Sequence, residues 1–387
     1  MKKALVVGGN SGIGLALVFN LIEEKYDHIY VVGKDFPRES DIPQDYRAQY
    51  LEKTSFTRLN LINEEYGFFG EIQDIDTLII TAGFGRVAPF EALHEKEVEN
   101  LIKCNQLAII QIIKKYYSKL HSHNDFYTLV MGSIAGHVCS PLFSVYGAAK
   151  SGLCAFIENL NAELAAQGYS NRILDVSPGS IKNTNFNGGP NNIEDLLDIT
   201  REMLHRARRK ERLYIPQYKE IYQNVIARHQ KDSLQYGVES YHYKMQSGRL
   251  DKKPQVCVGY LSGTFDLFHI GHLNLLRRAK QECDYLIVGV HKDGSWKGKE
   301  TFIPFEERKA IVNSIKYVDR VIESFTEDSD AYDVLHYDKL FVGSDYKGSE
   351  RFQRYEKYFE DKSVEIVYFE YTQGTSSTQL RKKIKEK

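Results

Sequence analysis

The pattern that most restricts this chain is an alternation that occurs twice. Up to about residue 185, short continuous apolar runs alternate with helical segments. The runs are ALVVG (4–8), HIYVVG (28–33), DTLIITAG (76–83), FYTLVMGS (126–133) and RILDVSPG (172–179), with GLALVFNLIEEK and KEVENLIKCNQLAIIQIIKKYYSKL among the segments between them. Strands that are apolar throughout are buried on both faces, and strands alternating with helices imply a parallel sheet covered on both sides. A second series starts at Gln255: QVCVGYLSG, a helix over 270–283, DYLIVGVH, a helix over 305–316, then RVIES, KLFVGSD and VEIVYF. At 387 residues the chain is too long for one ordinary core. The expected fold class is α/β, with two doubly wound parallel-sheet domains.

From Asn191 to Pro254 the character changes. IEDLLDITREMLHRARRKER reads as a charged amphipathic helix and LYIP as a short strand. The tyrosine-rich, polar stretch after them ends in Gly, Asp, Lys and Pro. The expected division is a first domain over 1–216, a mainly helical linker over 217–254 and a second domain over 255–387. The linker's helical part reads equally as a docked spacer or an oligomerisation arm. Hydrophobic residues at 42% and charged residues at 27% describe a folded globular protein. A net charge of −1 gives no basic field for nucleic acid. No run of 18 apolar residues occurs, so no membrane span is expected. The short N-terminal run ends in a glycine turn rather than a cleavage site, so a cytoplasmic protein is expected. Cys104, Cys139, Cys154, Cys257 and Cys283 include no CxxC pair and read as reduced thiols, with no metal cage.

Gly8-Gly9-Asn10-Ser11-Gly12-Ile13-Gly14 directly follows the first apolar run and opens a helix. Glycines there allow a tight turn and a close approach of backbone to a diphosphate, and the helix N-terminus offers N–H groups to it. The domain is therefore expected to be Rossmann-like. At the end of the second run the chain has Gly33 and Lys34 where an acidic residue would bind the 2′-hydroxyl of NAD. Lys34 suits a 2′-phosphate, so NADPH is the expected cofactor, while Asp35 keeps NADH possible. Ser133 ends the fourth run, and Tyr146 and Lys150 are four apart, on one helical face.

These pieces, with Thr81-Ala82-Gly83, Asn105 and Pro178-Gly179 in order, resemble the short-chain dehydrogenase/reductase family over residues 2–185. The resemblance implies that Tyr146 protonates a carbonyl oxygen as hydride arrives. Lys150 would lower the phenol's pKa from about 10 and hold the cofactor ribose. Ser133 would bind the carbonyl, and Asn105 would position a relay water. Asn60 and Leu61 would lie near the adenine. Ala82, Gly83, Pro178 and Gly179 would line the cofactor. The family often has Thr four residues beyond the glycine of the PG pair. Here that position is Asn183, with Thr184 next, and Thr184 is the candidate contact to the nicotinamide.

In the second series, Gly263-Thr264-Phe265-Asp266 precedes His269, Gly271 and His272 at the start of a helix. A histidine pair three apart can reach one ligand. Read from the residues, the pair suits a metal or an anion. The glycines and the helix N-terminus favour the anion. The stretch resembles the HIGH nucleotidyltransferases, and within them the glycerol-3-phosphate cytidylyltransferases, over about 256–382. Lys297, Arg308, the stretch from Gly343 to Gly348 and the Gly374-Thr375-Ser376-Ser377-Thr378 turn fall in the family's order. The resemblance implies that His269 and His272 stabilise the transferring phosphate, that Lys297 contacts phosphates, and that Arg308 belongs to the catalytic set. Gly263, Thr264, Phe265, Gly271, Asp345, Ser376, Ser377 and Thr378 would bind CTP, which arrives with Mg²⁺. At Tyr371 the signature arginine is absent, and Arg381 or another cation would have to replace it.

Two such sites on one chain suggest consecutive reactions. A ketose phosphate such as ribulose 5-phosphate would be reduced with NADPH. The polyol phosphate would then take CMP from CTP, giving CDP-ribitol, CDP-glycerol or a related CDP-polyol and pyrophosphate. Such products feed capsule or teichoic-acid type polymers. The contrasting reading is that one domain is catalytic and the other an assembly or regulatory module. A third is that the reductase acts on an unrelated carbonyl. Small molecules are the expected partners, without nucleic acid or membrane, in a homodimer or homotetramer.

Overall fold

The computed structural model describes residues 2–63, 66–182, 184, 186, 191–248, 250, 256–293 and 301–370. It divides into two compact units, 1–253 and 254–387.

Unit 1 opens with β1 (Lys3–Val7), α1 (Gly12–Glu23), β2 (His28–Gly33), α2 (Arg47–Lys53) and β3 (Thr54–Arg58). After β4 (Thr77–Ile80) come α3 (Glu95–Ile102), a π-turn (Lys103–Leu107), α4 (Ala108–Lys115) and α5 (Tyr117–Leu120). The rest is β5 (Tyr127–Met131), α6 (Ser144–Ala166), β6 (Ile173–Val176), α7 (Leu197–Arg208), β7 (Leu213–Tyr214), α8 (Gln223–Lys231) and α9 (Ser233–Gln246). The seven strands form one parallel sheet in the order β3-β2-β1-β4-β5-β6-β7.

β1, β4, β5 and β6 lie inside the sheet and are almost entirely buried, as their largely apolar sequences require, with Thr77, Thr128 and Asp175 as buried polar exceptions. One core, around Leu5, Ile80, Ile109, Ile112 and Ile157, fills one face. A second, around Leu15, Phe19, Leu129, Met203 and Leu204, fills the other. Asn20 ties α1 to α7 by donating to Leu197 O and Thr200 Oγ1. The order of strands reverses between β1 and β4, and a crevice opens at their carboxyl ends.

The stretch expected to be a linker contains α8 and α9, and these belong to unit 1. Gly237 of α9 packs on Cys139 and Pro141, and Lys244 donates to Ser140 Oγ and Pro141 O.

Unit 2 contains β8 (Val258–Gly263), α10 (Ile270–Gln281), β9 (Tyr285–Val290), α11 (Phe305–Asn313) and β10 (Arg320–Glu323). It continues with α12 (Asp328–Leu335), β11 (Lys339–Gly343), α13 (Glu350–Phe359) and β12 (Glu365–Phe369). The parallel sheet has the order β10-β9-β8-β11-β12. β8 pairs with β9 as far as Gly263↔Val290, but with β11 only at Lys339↔Gly259 and Leu340↔Tyr260. Beyond Tyr260 the two central strands part, at the reversal point where such sheets bind ligands. Among the described residues no helix is long and apolar enough to cross a membrane.

Candidate functional site

In unit 1, Ser11 caps α1 in an extended conformation, so the helix N-terminus faces the crevice. Gly8 takes φ +89, and a β-carbon on Gly14 would lie 2.1 Å from the Gly8 carbonyl oxygen. Glycine at both positions lets the turn lie flat on the end of β4, beside Ala82. Ile13 packs half-buried on the core, while Asn10 presses its side chain on Gly33. Gly12 lies under Thr184, whose hydroxyl donates to Ile181 O at 3.0 Å. Thr184 is thus held over the glycine turn. Asn183 lies outside the described residues.

Lys34 is exposed just past β2. Arg58, at the end of β3, donates from Nε to Lys34 O at 3.0 Å and approaches Asp35 Oδ1 at 3.8 Å. Sequence reasoning missed Arg58, because parallel strand pairing alone brings it beside Lys34. Asn60 Oδ1 accepts from Ile62 N, and Leu61 is buried in the core. Leu61 is thus packed in the core, and its side chain is not presented to a ligand as expected.

α6 carries Tyr146 and Lys150 one turn apart, both buried. Ser133 accepts from Ala135 N at 3.2 Å, and its hydroxyl hydrogen-bonds the Tyr146 phenol. Lys150 Nζ donates to Met131 O at 2.8 Å. Asn105 sits in the π-turn and is fully buried. Its Nδ2 donates to Phe84 O at 2.8 Å and Leu101 O at 2.9 Å, while Oδ1 has no partner among the described residues. A β-carbon on Gly83 would lie 2.6 Å from Asn105 Oδ1 and 3.5 Å from Lys150 Nζ. An unmet acceptor and an ammonium thus converge on one glycine. A water donating to Oδ1 and accepting from Nζ fits that geometry.

Lys150 was expected to lower the pKa of Tyr146, and the structure corrects this. Burial pushes the phenol up to about 12, opposed by the Ser133 hydrogen bond. Rings of Phe143 and Phe186 cover it, with centroids 5.3 and 5.6 Å away. Lys150 Nζ is 5.8 Å from the Tyr146 ring centre and turns toward Met131. Burial also pulls the Lys150 ammonium down to about 8. In this state Tyr146 is a loaded proton donor at neutral pH. Near Lys150, Ser177 donates to Asp175 Oδ1 at 2.8 Å and meets His137 Nε2 at 3.0 Å. Cys154 lies against the same group as a neutral thiol, its pKa raised to about 12 by burial.

In unit 2, His269 is the N-cap of α10 and His272 its third residue. Gly271 N donates to His269 Nδ1 at 3.0 Å, and His269 N to His272 Nδ1 at 3.4 Å. The rings stack with centroids 4.1 Å apart. Because both Nδ1 atoms accept, both neutral rings carry their proton on Nε2. Burial lowers the pKa of both, that of His272 to about 4, so the pair is neutral at pH 7. Nε2–H groups donate to an anion. A metal would need those protons moved to Nδ1, against the backbone N–H groups.

The turn before the pair is strained: Phe265 and Leu267 take φ +52 and +49. Asp266 braces it by accepting from Phe302 N at 3.1 Å and Ile303 N at 3.0 Å. Arg308 braces it from below. Its Nε donates to Ile303 O at 2.9 Å, and its terminal nitrogens donate to the carbonyls of Thr264, His291 and Lys292. Arg308 is 0% exposed. It was expected among the catalytic residues, and these backbone carbonyls engage its guanidinium, so it holds the Thr264 turn. Asp266 was missed, although it stands inside the quoted motif. Asp345 is exposed just past β11, across the parted strands from Gly263. Lys297, Tyr371, Gly374, Thr375, Ser376, Ser377, Thr378 and Arg381 lie outside the described residues.

Residues 2–192 match the short chain dehydrogenase family, and residues 260–383 match the cytidylyltransferase-like family. The glycerol-3-phosphate cytidylyltransferase of Bacillus subtilis is 36% identical over 126 residues, which are 32% of this chain and 92% of that protein. The glycerol-3-phosphate cytidylyltransferase of Staphylococcus aureus is 35% identical over 126 residues, 32% of this chain and 90% of that one. Among solved structures, a bulky-bulky ketone specific alcohol dehydrogenase from Comamonas testosteroni covers 62% of this chain and 94% of its own, at 20% identity and a TM-score of 0.49.

Proposed function

Since the chain carries a short-chain dehydrogenase domain and its second unit belongs to the cytidylyltransferase-like family, we propose that it makes a CDP-polyol in two steps. Unit 1 reduces a ketose phosphate to a polyol phosphate. Unit 2 joins that phosphate to CMP from CTP and releases pyrophosphate. The observation that carries the reading is the pairing of chemistries. A protonated Tyr146 beside Ser133 and Lys150 serves carbonyl reduction, and two Nε2–H donors at a helix start serve phosphate transfer.

The cofactor of the first step is NADPH, which when bound supplies the hydride. The glycine turn and α1 N-terminus would hold its diphosphate, and Lys34 with Arg58 its 2′-phosphate. Asp35, the carboxylate that would favour NADH, lies against Arg58. Tyr146 gives its proton to the carbonyl oxygen. Lys150 and Asn105 hold the water through which the phenol regains one.

In the second step an oxygen of the polyol phosphate attacks the α-phosphorus of CTP, and the bond to pyrophosphate breaks. His269 and His272 donate hydrogen bonds to the charge that develops there. Lys297 adds positive charge, the Ser376–Thr378 stretch binds the phosphates, and Mg²⁺ enters with CTP. Two substrate pairs suit the sites. The names of the relatives support dihydroxyacetone phosphate reduced to glycerol 3-phosphate and CDP-glycerol. Ribulose 5-phosphate leading to CDP-ribitol is the other. The product would serve a capsule or teichoic-type polymer, made in the cytoplasm by a dimer or tetramer.

The test supplies protein, NADPH, CTP, Mg²⁺ and one ketose phosphate at a time, and looks for the CDP-polyol by mass. A product with one of them is expected. NADPH consumption or pyrophosphate release alone would leave one domain catalytic, and neither would end the reading.

A further inference from the structure

Three segments of unit 1 meet in a polar cluster near Lys150. His137 ends the turn that starts at Ser133, Cys154 lies one turn beyond Lys150 on α6, and Asp175 and Ser177 come from β6 and the loop after it. Cys154 and Asp175 are buried, while the His137 side chain is 24% exposed. One ligating atom from each of His137, Cys154 and Asp175 lies within 4.8 Å of the other two. His137 Nε2 is 3.7 Å from Asp175 Oδ2, within the spacing of about 3.3–3.8 Å between ligands around a tetrahedral zinc. The Ser177 hydroxyl sits among them: it donates to Asp175 Oδ1 at 2.8 Å, meets His137 Nε2 at 3.0 Å and stands 3.8 Å from Cys154 Sγ. Two glycines leave room for the group. A β-carbon on Gly132 would lie 2.1 Å from Asp175 Oδ1 and 2.5 Å from Ser177 Oγ, and one on Gly136 would lie 2.9 Å from Cys154 Sγ. Among the described residues, His137 is the one basic group within 4.0 Å of the buried Asp175 carboxylate. A carboxylate taken out of water is costly unless it is paired or coordinated.

We infer that His137, Cys154 and Asp175 form a binding site for one zinc ion, with a water as the fourth ligand. An imidazole, a sulfur and a carboxylate together suit a borderline-soft cation, and not Mg²⁺ or Ca²⁺, which take oxygen ligands. Binding breaks the S–H bond of Cys154, forms the Zn–S bond and releases the proton to solvent. The thiolate and the carboxylate then cancel the two charges of the ion, so the buried site is neutral as a whole. The ion and its water enter from the His137 side, the part of the group that reaches solvent. Ser177 keeps its bond to Asp175 Oδ1 and orients the carboxylate, leaving Oδ2 for the metal. The ion would tie together the loop after β5, α6 and β6, the segments that carry or adjoin Ser133, Lys150 and Pro178. No local spacing in the sequence announces this site, because its three ligands come from three separate segments.

The test titrates the reduced, chelator-stripped full chain with Co²⁺, which reports a thiolate ligand by a near-ultraviolet charge-transfer band, and then with Zn²⁺. One equivalent of Co²⁺ should produce the band, and one of Zn²⁺ should abolish it. Cys154→Ser should remove the band, while Cys139→Ser, at an exposed cysteine, should keep it. His137→Gln and Asp175→Asn should each weaken Zn²⁺ binding roughly tenfold or more. Circular dichroism checks that the variants at the buried Cys154 and Asp175 fold, and His137→Gln, at a partly exposed side chain, tests the site even where they do not. No band, a band that survives Cys154→Ser, or a Zn²⁺ affinity unchanged by His137→Gln overturns the inference. Each of those results leaves the proposed reactions standing.

Discussion

Tyr146 holds its proton well into alkaline solution because burial raises its pKa to about 12, whereas Lys150, also buried, gives up its charge near pH 8. On the proposed mechanism the lysine sets the alkaline limit of carbonyl reduction. Its cationic form predominates below about 8 and is lost as pH rises through that value. The kcat/KM profile for carbonyl reduction should fall with an apparent pKa near 8. A profile flat from pH 7 to 9.5 would contradict the assignment. His272 sets a limit of the opposite kind. Its folded pKa lies near 4 and its ordinary value near 6.5, so the unfolded chain binds more protons between them. Unit 2 should be stable above 6.5 and weaken as pH falls toward 4, by on the order of 3 kcal/mol. Denaturant unfolding followed by circular dichroism across that pH range checks this. His272→Asn should flatten that dependence, and an equally steep fall in the variant would remove His272 as its cause.

Arg308 shows how an element can depend on a charge that meets no ligand. It links the start of α11, the turn after β8 and the end of β9 through four backbone carbonyls. Arg308→Ala leaves those acceptors without their donor and should cost unit 2 about 3–5 kcal/mol in denaturant unfolding. Arg308→Lys should recover part of this, because an ammonium cannot reproduce the planar fork. A loss of CTP turnover in Arg308→Ala with unchanged stability would instead show a direct phosphate contact. The sequence could not separate these roles, since an arginine at a motif position looks the same whether it faces ligand or backbone. It made the central strands legible because they are mostly apolar on both faces. It hid β3, whose TSFTR has one large apolar residue and lies at the sheet edge. The glycine turn, Tyr146 with Lys150, and the histidine pair were legible because local spacing alone groups them. Arg58 and Phe143 were not, because only tertiary packing brings them beside Lys34 and Tyr146.

On the scale of the whole molecule, the two chemistries use separate sets of residues within separate units. Tyr146→Phe should lower carbonyl reduction by roughly 10²–10⁴ and leave pyrophosphate release from CTP and a polyol phosphate intact. His269→Ala should do the reverse. Mixing the two variants should restore CDP-polyol formation from the ketose phosphate, because the intermediate can diffuse. Failure of the mixture, with each remaining activity intact, would mean that the intermediate passes only within one chain or assembly. The aromatic cover on Tyr146 bears on the economy of such a sequence. With Phe143 and Phe186 packed over the phenol, the donor is shielded from solvent until a substrate parts the rings. Water would then be cleared from the place of the carbonyl oxygen before the proton moves, so the work of drying the site is met by substrate binding and not at the moment of reduction.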